Sequence, residues 1–129
     1  MIRRPLSAER MIRLFRSGNA VEFLGRARLL EPADLADVLG LADDDERVEI
    51  AKLLPPELTG EALSEMPSME HAEDTLASLT AEQAADILEE ISDDDAADLL
   101  GELGPEAQQR ILNAVDVDDR RDVERLLKY

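Results

Sequence analysis

The chain has no cysteine and no tryptophan, and Phe15, Phe23 and Tyr129 are its only aromatic residues. Without thiols there is neither a disulfide nor a thiolate metal centre, which suits a reducing compartment. With so few rings the core must be built from Leu, Ile, Val, Ala and Met, and the aromatics that line sugar sites are missing. The six glycines are scattered singly, so no glycine-rich phosphate loop can be written, and neither a G-x-S-x-G elbow nor an H-E-x-x-H pair occurs. His71 is the single histidine. No enzyme constellation can be assembled from these residues. No apolar run approaches the ~20 residues that span a bilayer, and the first residues lack a sustained apolar stretch and a cleavage signal. The chain as given is expected to be soluble.

Cations are also scarce: 14 Lys and Arg stand against 31 Asp and Glu, for a net charge of −17 over 129 residues. The imbalance is uneven. Residues 1–30 hold seven Arg against Glu9 and Glu22, so the head is basic and everything after it is strongly acidic. Phosphate binding needs clustered cations, which makes nucleic acid a poor partner for the body. In the head, Arg10, Arg13 and Arg16 alternate with Met11, Ile12, Leu14 and Phe15 as the polar side of an amphipathic helix. Its expected use is packing or docking against acidic protein surface.

What the sequence does have is a repeat. From Glu31 to Leu127 it divides into eight consecutive twelve-residue units, interrupted only by Pro67. A small, polar or Pro residue opens each unit, an acidic residue tends to follow at the third place, and apolar residues recur at the eighth, ninth and twelfth. Those intervals trace one face of a 3.6-residue helix and fit no strand. Thr80 with Gln83 spells a capping box, Asp43 with Glu46 its Asp-capped analogue, and Asp93, Asp94 and Asp95 put negative charge on a helix's positive end. Pro32, Pro56 and Pro105 occupy the second place, where a missing N–H costs nothing. Ahead of the repeats, Ser7 should cap a helix ending near Gly18, and Asn19 with Glu22 a second one. Helices of about 13 Å do not persist alone in water. Stacked so that each covers the next, they bury a continuous core. The expected fold is therefore an all-α superhelix, an α-solenoid of about ten short helices. A four-helix bundle is the runner-up, though bundles prefer longer helices. Residues 1–30 should form capping helices and 31–129 the helical-repeat body, together one domain.

Carboxylates are the chemical resource in excess. Mg²⁺ takes oxygen ligands, keeps several waters and needs only one or two carboxylates. Asp94 and Asp98, four apart at the start of one helix, can jointly hold one hydrated ion. No EF-hand loop is present. Against the ion reading, acids at helix starts also serve the macrodipole.

The units LLPPELTGEALSEM, LTAEQAADILEEI and ISDDDAADLLGEL followed by PEAQQRILNAV resemble the cytosolic N-terminal domain of the MgtE family of magnesium transporters and channels. The resemblance covers nearly all of the repeat region and includes the closing LLKY. It implies a right-handed superhelix that folds against CBS domains when Mg²⁺ is high and swings away when it is low, closure holding a membrane pore shut. It also implies Mg²⁺ contacts at Asp94 and Asp98, with Asp93 and Asp95 beside them, and at Glu61 in TGEAL. The implied partners are the CBS domains and connecting helix of the same transporter, in a homodimeric parent, on the cytoplasmic side of the cell membrane. Residues shared between two domains would be half-sites, so Mg²⁺ should bind this chain weakly by itself. The chain contains no CBS domain, connecting helix or pore. The alternative is an acidic helical-repeat interaction module without specific metal sensing, like the stacked-helix domain of the flagellar switch protein FliG.

Overall fold

The computed structural model describes residues 4–67 and 69–127; Lys128 and Tyr129, the end of the LLKY resemblance, lie outside them. The described residues form ten helices and no strand: α1 (Ala8–Arg16), α2 (Ala20–Ala27), α3 (Pro32–Leu41), α4 (Asp44–Leu53), α5 (Pro56–Glu65), α6 (Met69–Ser78), α7 (Ala81–Glu89), α8 (Asp93–Gly101), α9 (Pro105–Leu112) and α10 (Val117–Leu127).

Each of the eight repeat helices begins at the second place of its unit. The cause is local. Thr80 Oγ1 accepts the Gln83 N–H at 3.1 Å, and the Gln83 side chain accepts the Thr80 N–H at 3.0 Å. Ser92 Oγ accepts the Asp95 N–H at 3.1 Å. Where the opener offers no such oxygen, Pro at the first helical position fixes φ. In the head, Ser7 caps α1 and Asn19 caps α2 as the sequence suggests. Gly18, at φ +86°, turns the chain between them.

The helices do not stack simply on their successors. The strongest packing joins every second helix: α1 to α3 to α5 to α7 to α9 in one row, and α4 to α6 to α8 to α10 in another. Neighbours in sequence therefore lie in opposite rows, and a single aliphatic core runs between them from Met11 to Val123. This is the superhelix expected from the periodicity, with a two-row arrangement that the unit pattern alone does not specify. The eighth place is buried in all eight units, Thr75 included. The head joins the same architecture, since α1 extends the first row and α2 packs on α1 through an edge-to-face contact of Phe15 with Phe23, ring centres 5.4 Å apart.

The fifth place is buried in the first six units, where it carries Leu35, Arg47, Thr59, Ala72, Ala84 and Ala96, and half-buried in the last two, where it carries Gln108 and Arg120. Three of its polar members have a common task. Arg47 Nε donates to the Leu39 carbonyl at 2.9 Å, Thr59 Oγ1 to Ala51 at 3.2 Å, and Gln108 Nε2 to Leu100 at 2.8 Å, in each case eight residues back. Each side chain thus satisfies a carbonyl near the end of the preceding helix, where the helix has no partner of its own. Arg110 of α9 makes the longer-range version, reaching the Ala77 and Leu79 carbonyls at the end of α6.

A bidentate ion pair ties the basic head to the acidic body. Arg16 donates from Nε to Glu46 Oε2 at 2.8 Å and from its terminal nitrogen to Oε1 at 2.9 Å, while Oε1 also accepts the Asp43 N–H at 2.9 Å. The Arg16 guanidinium, then the backbone N–H of Asp43, holds the Glu46 carboxyl down from its usual 4.5 to about 2. A carboxyl depressed in the folded state stabilises it above the unfolded pKa, and this contribution is lost as pH falls through the folded one. Acid titration of thermal stability should therefore show a component lost between about pH 4.5 and 2. Glu46→Gln should remove that component while leaving the rest of the curve in place.

Candidate carboxylate site

Glu61 lies on α5 and is half-buried, whereas Asp94 and Asp98 project from α8 and are both exposed. Glu61 and Asp98 hold the same seventh place of their units, a place acidic in every unit except the one carrying Arg110. Because α5 and α8 belong to opposite rows, equal register does not bring them together.

The structure pairs Glu61 with other acids instead. An open cleft separates Glu61, Ser64 and Glu65 of α5 from Glu90, Ile91, Ser92 and Asp95 at the α7–α8 turn. Asp94 and Asp98 do not line it. Both serine hydroxyls face backbone: Ser64 Oγ donates to the Gly60 carbonyl at 3.0 Å, and Ser92 Oγ caps α8. The four carboxylates are thus the free polar groups of the cleft, and oxygen-only surroundings of this kind suit a hard, hydrated divalent cation. Among the described residues no three His, Cys, Asp or Glu side chains stand close enough to hold a metal ion between them.

The two walls make a close approach at Gly60. A Cβ there would meet Ile91 Cγ2 at 2.6 Å and the Ile87 carbonyl oxygen at 3.1 Å, so α5 rests on the end of α7 backbone against side chain. Glu65 and Glu90 were not singled out by spacing, because the contact that places them joins two helices of one row, α5 and α7, that are not neighbours in sequence. The available signal was Gly60 itself, a residue that costs a helix interior about 1 kcal/mol relative to Ala.

On its other side α8 confronts α10. The Asp93 carboxyl is held above the usual range, first by burial and then by the negative charges of Asp122, Asp119 and Asp94. The start of α8 is therefore crowded with like charge on this flank too. His71 sits on α6, and its carbonyl accepts the Thr75 hydroxyl at 2.7 Å.

No helix among the described residues is long and apolar enough to cross a membrane. A comparison with curated proteins found no match. Among solved structures, the fold is similar to one described as the soluble part of a magnesium transporter, with a TM-score of 0.83 and 21 % sequence identity. The alignment covers 95 % of this chain and 48 % of that one, so this chain spans about half the length of its structural relative. At that identity the likeness speaks for the fold. The family model described as the MgtE intracellular N domain matches residues 30–129, all eight repeats, and the chain belongs to that family.

Proposed function

We propose that this domain is the Mg²⁺-responsive regulatory part of a magnesium transporter or channel, lying on the cytoplasmic side of the membrane and closing against CBS domains through shared ions. The observation that carries this reading is family membership over residues 30–129, together with carboxylates presented on open surfaces. Asp94 and Asp98 are free to meet a second domain, and Glu61 contributes from its cleft.

The physical argument is electrostatic. Apposing a surface this acidic to another acidic domain costs free energy unless cations intervene. An ion bridging the two domains favours the closed state only by its differential affinity for it. Sites completed by a second domain are weak in either half, so Mg²⁺ should bind the isolated chain poorly. No catalytic role is assigned to any residue. The partners on this reading are the CBS domains and connecting helix of the same protein, within a homodimer.

The test uses the longer protein in which this domain precedes CBS domains. Its protease resistance should rise with Mg²⁺, and Glu61→Ala or the pair Asp94→Ala and Asp98→Ala should shift the midpoint to higher Mg²⁺. Unchanged midpoints in both would leave the acidic helical-repeat interaction module as the better reading.

A further inference from the structure

We infer that Gly60 is a positioning residue that, with Ile91, sets the width of the carboxylate cleft. The contact lies at the root of both walls. Gly60 precedes Glu61 in the chain, and Ile91 follows Glu90, so whatever separates Gly60 from Ile91 also separates the carboxylates they carry. The missing Cβ is required by space and not by backbone conformation, since Gly60 is helical and the approach is 2.6 Å to Ile91 Cγ2. A side-chain methyl can give way where a backbone cannot, but Ile91 is half-buried and linked by its own backbone to Ser92, the cap of α8. Its retreat moves the turn that holds Glu90 and Asp95. The sixth place of the other first-row repeat units carries Ala36, Ala85 and Gln109, so glycine is not demanded by the repeat itself. Only α5, which carries Glu61, has it.

The consequence for ion binding rests on the magnesium reading proposed above, whereas the spacing does not. The two are separable by experiment. Because the chain has no cysteine, Glu65→Cys with Glu90→Cys gives a single thiol pair across the cleft, and its rate of cross-linking by a short bis-maleimide reports the spacing without any metal. Gly60→Ala should slow that reaction severalfold in protein that circular dichroism shows to be folded. Ile91→Ala, which removes the 2.6 Å clash and leaves only the 3.1 Å approach to the Ile87 carbonyl, should restore most of it. In the longer protein with its carboxylates intact, Gly60→Ala should raise the Mg²⁺ midpoint for protease protection on the order of tenfold, the usual effect of disturbing the support of metal-binding groups. The same Ile91→Ala change should bring the midpoint back. Cross-linking that is indifferent to Gly60→Ala, or that Ile91→Ala fails to restore, overturns the inference. A cross-linking response in a protein whose protection never depends on Mg²⁺ supports the spacing role and removes the magnesium reading.

Discussion

Leu99→Pro is expected to leave the domain largely unfolded at 25 °C, while Asp93→Pro, six residues earlier in the same helix, should be tolerated. Leu99 is 1 % exposed and lies in the second turn of α8, between its packing partners α6 and α10. Proline there removes the bond from the residue 99 N–H and drives its ring against the Asp95 carbonyl, at a cost of about 3 kcal/mol or more. Replacing the buried leucine adds a cavity cost of roughly 2–5 kcal/mol. Together these rival the ~5–15 kcal/mol that stabilises an ordinary domain. In a stacked array the damage also reaches the helices on both sides.

Asp93 is different in every respect that matters. It is the first residue of α8, its N–H falls among those that a helix leaves unpaired, and Ser92 before it is already extended at φ −64° and ψ 155°, as a residue preceding proline must be. Pro32, Pro56 and Pro105 hold the same place in their own units. The substitution also deletes a carboxyl that burial and Asp122, Asp119 and Asp94 disfavour as an anion. Thermal unfolding followed by circular dichroism separates the two variants. Equal loss in both would mean that α8 does not begin where the structure puts it.

The second large effect is expected from a charged residue. Arg47→Ala should destabilise the domain by about 3 kcal/mol, because hydrogen bonds from a charged donor contribute about 1.5–3 kcal/mol and buried acceptors left unpaired add their own cost. Arg47 is only 3 % exposed, and its guanidinium reaches three acceptors: the Leu39 carbonyl, the Ala42 carbonyl at 2.8 Å and Asp44 Oδ1 at 2.9 Å. Those carbonyls end α3, so the side chain seals one helix while its own backbone begins the next. Arg47→Lys should recover only part of the loss, since an ammonium cannot reproduce the planar fork that spans the two carbonyls and Asp44. Urea unfolding of the three proteins gives the comparison. A full recovery with Lys would assign the effect to charge and stem packing, leaving the fork without a role.

Arg47 also marks where the sequence stopped being readable. The helix starts were legible because their causes are local: a hydroxyl or carboxylate three residues before an unpaired N–H, or a proline whose φ already suits the helix. The eighth-place core was legible from hydropathy. The fifth place was not, because Arg47 and Thr59 look like surface residues until the carbonyl eight residues back is seen. The two rows were invisible for a related reason. An apolar stripe says that a helix is covered, not by which other helix, and a twelve-residue unit is consistent with either neighbour.

That ambiguity passes directly to the site. Spacing on one helix picked out Asp94 and Asp98, and family resemblance added Glu61, but which acids face Glu61 is decided by α5 lying on the α7–α8 turn. Glu65, Glu90 and Asp95 enter only then. The same geometry supplies a control that sequence distance could not. Asp43 and Asp44 would be a poor charge-matched control for Asp94 and Asp98, because the Asp43 side chain forms one half of the capping box with Glu46 and Asp44 pairs with Arg47. Glu82 and Asp86 are better. They occupy the same third and seventh places of the preceding repeat, on α7, and both are exposed.

The direct measurement is therefore the Mg²⁺ midpoint for protease protection of the longer protein, compared between Asp94→Ala with Asp98→Ala and Glu82→Ala with Asp86→Ala. Each pair removes two negative charges from equivalent helix positions. A Mg²⁺-responsive domain with specific half-sites predicts a raised midpoint for the α8 pair and a midpoint near that of the parent for the α7 pair. Equal shifts in the two would contradict it and reduce the role of magnesium to diffuse screening of an acidic surface.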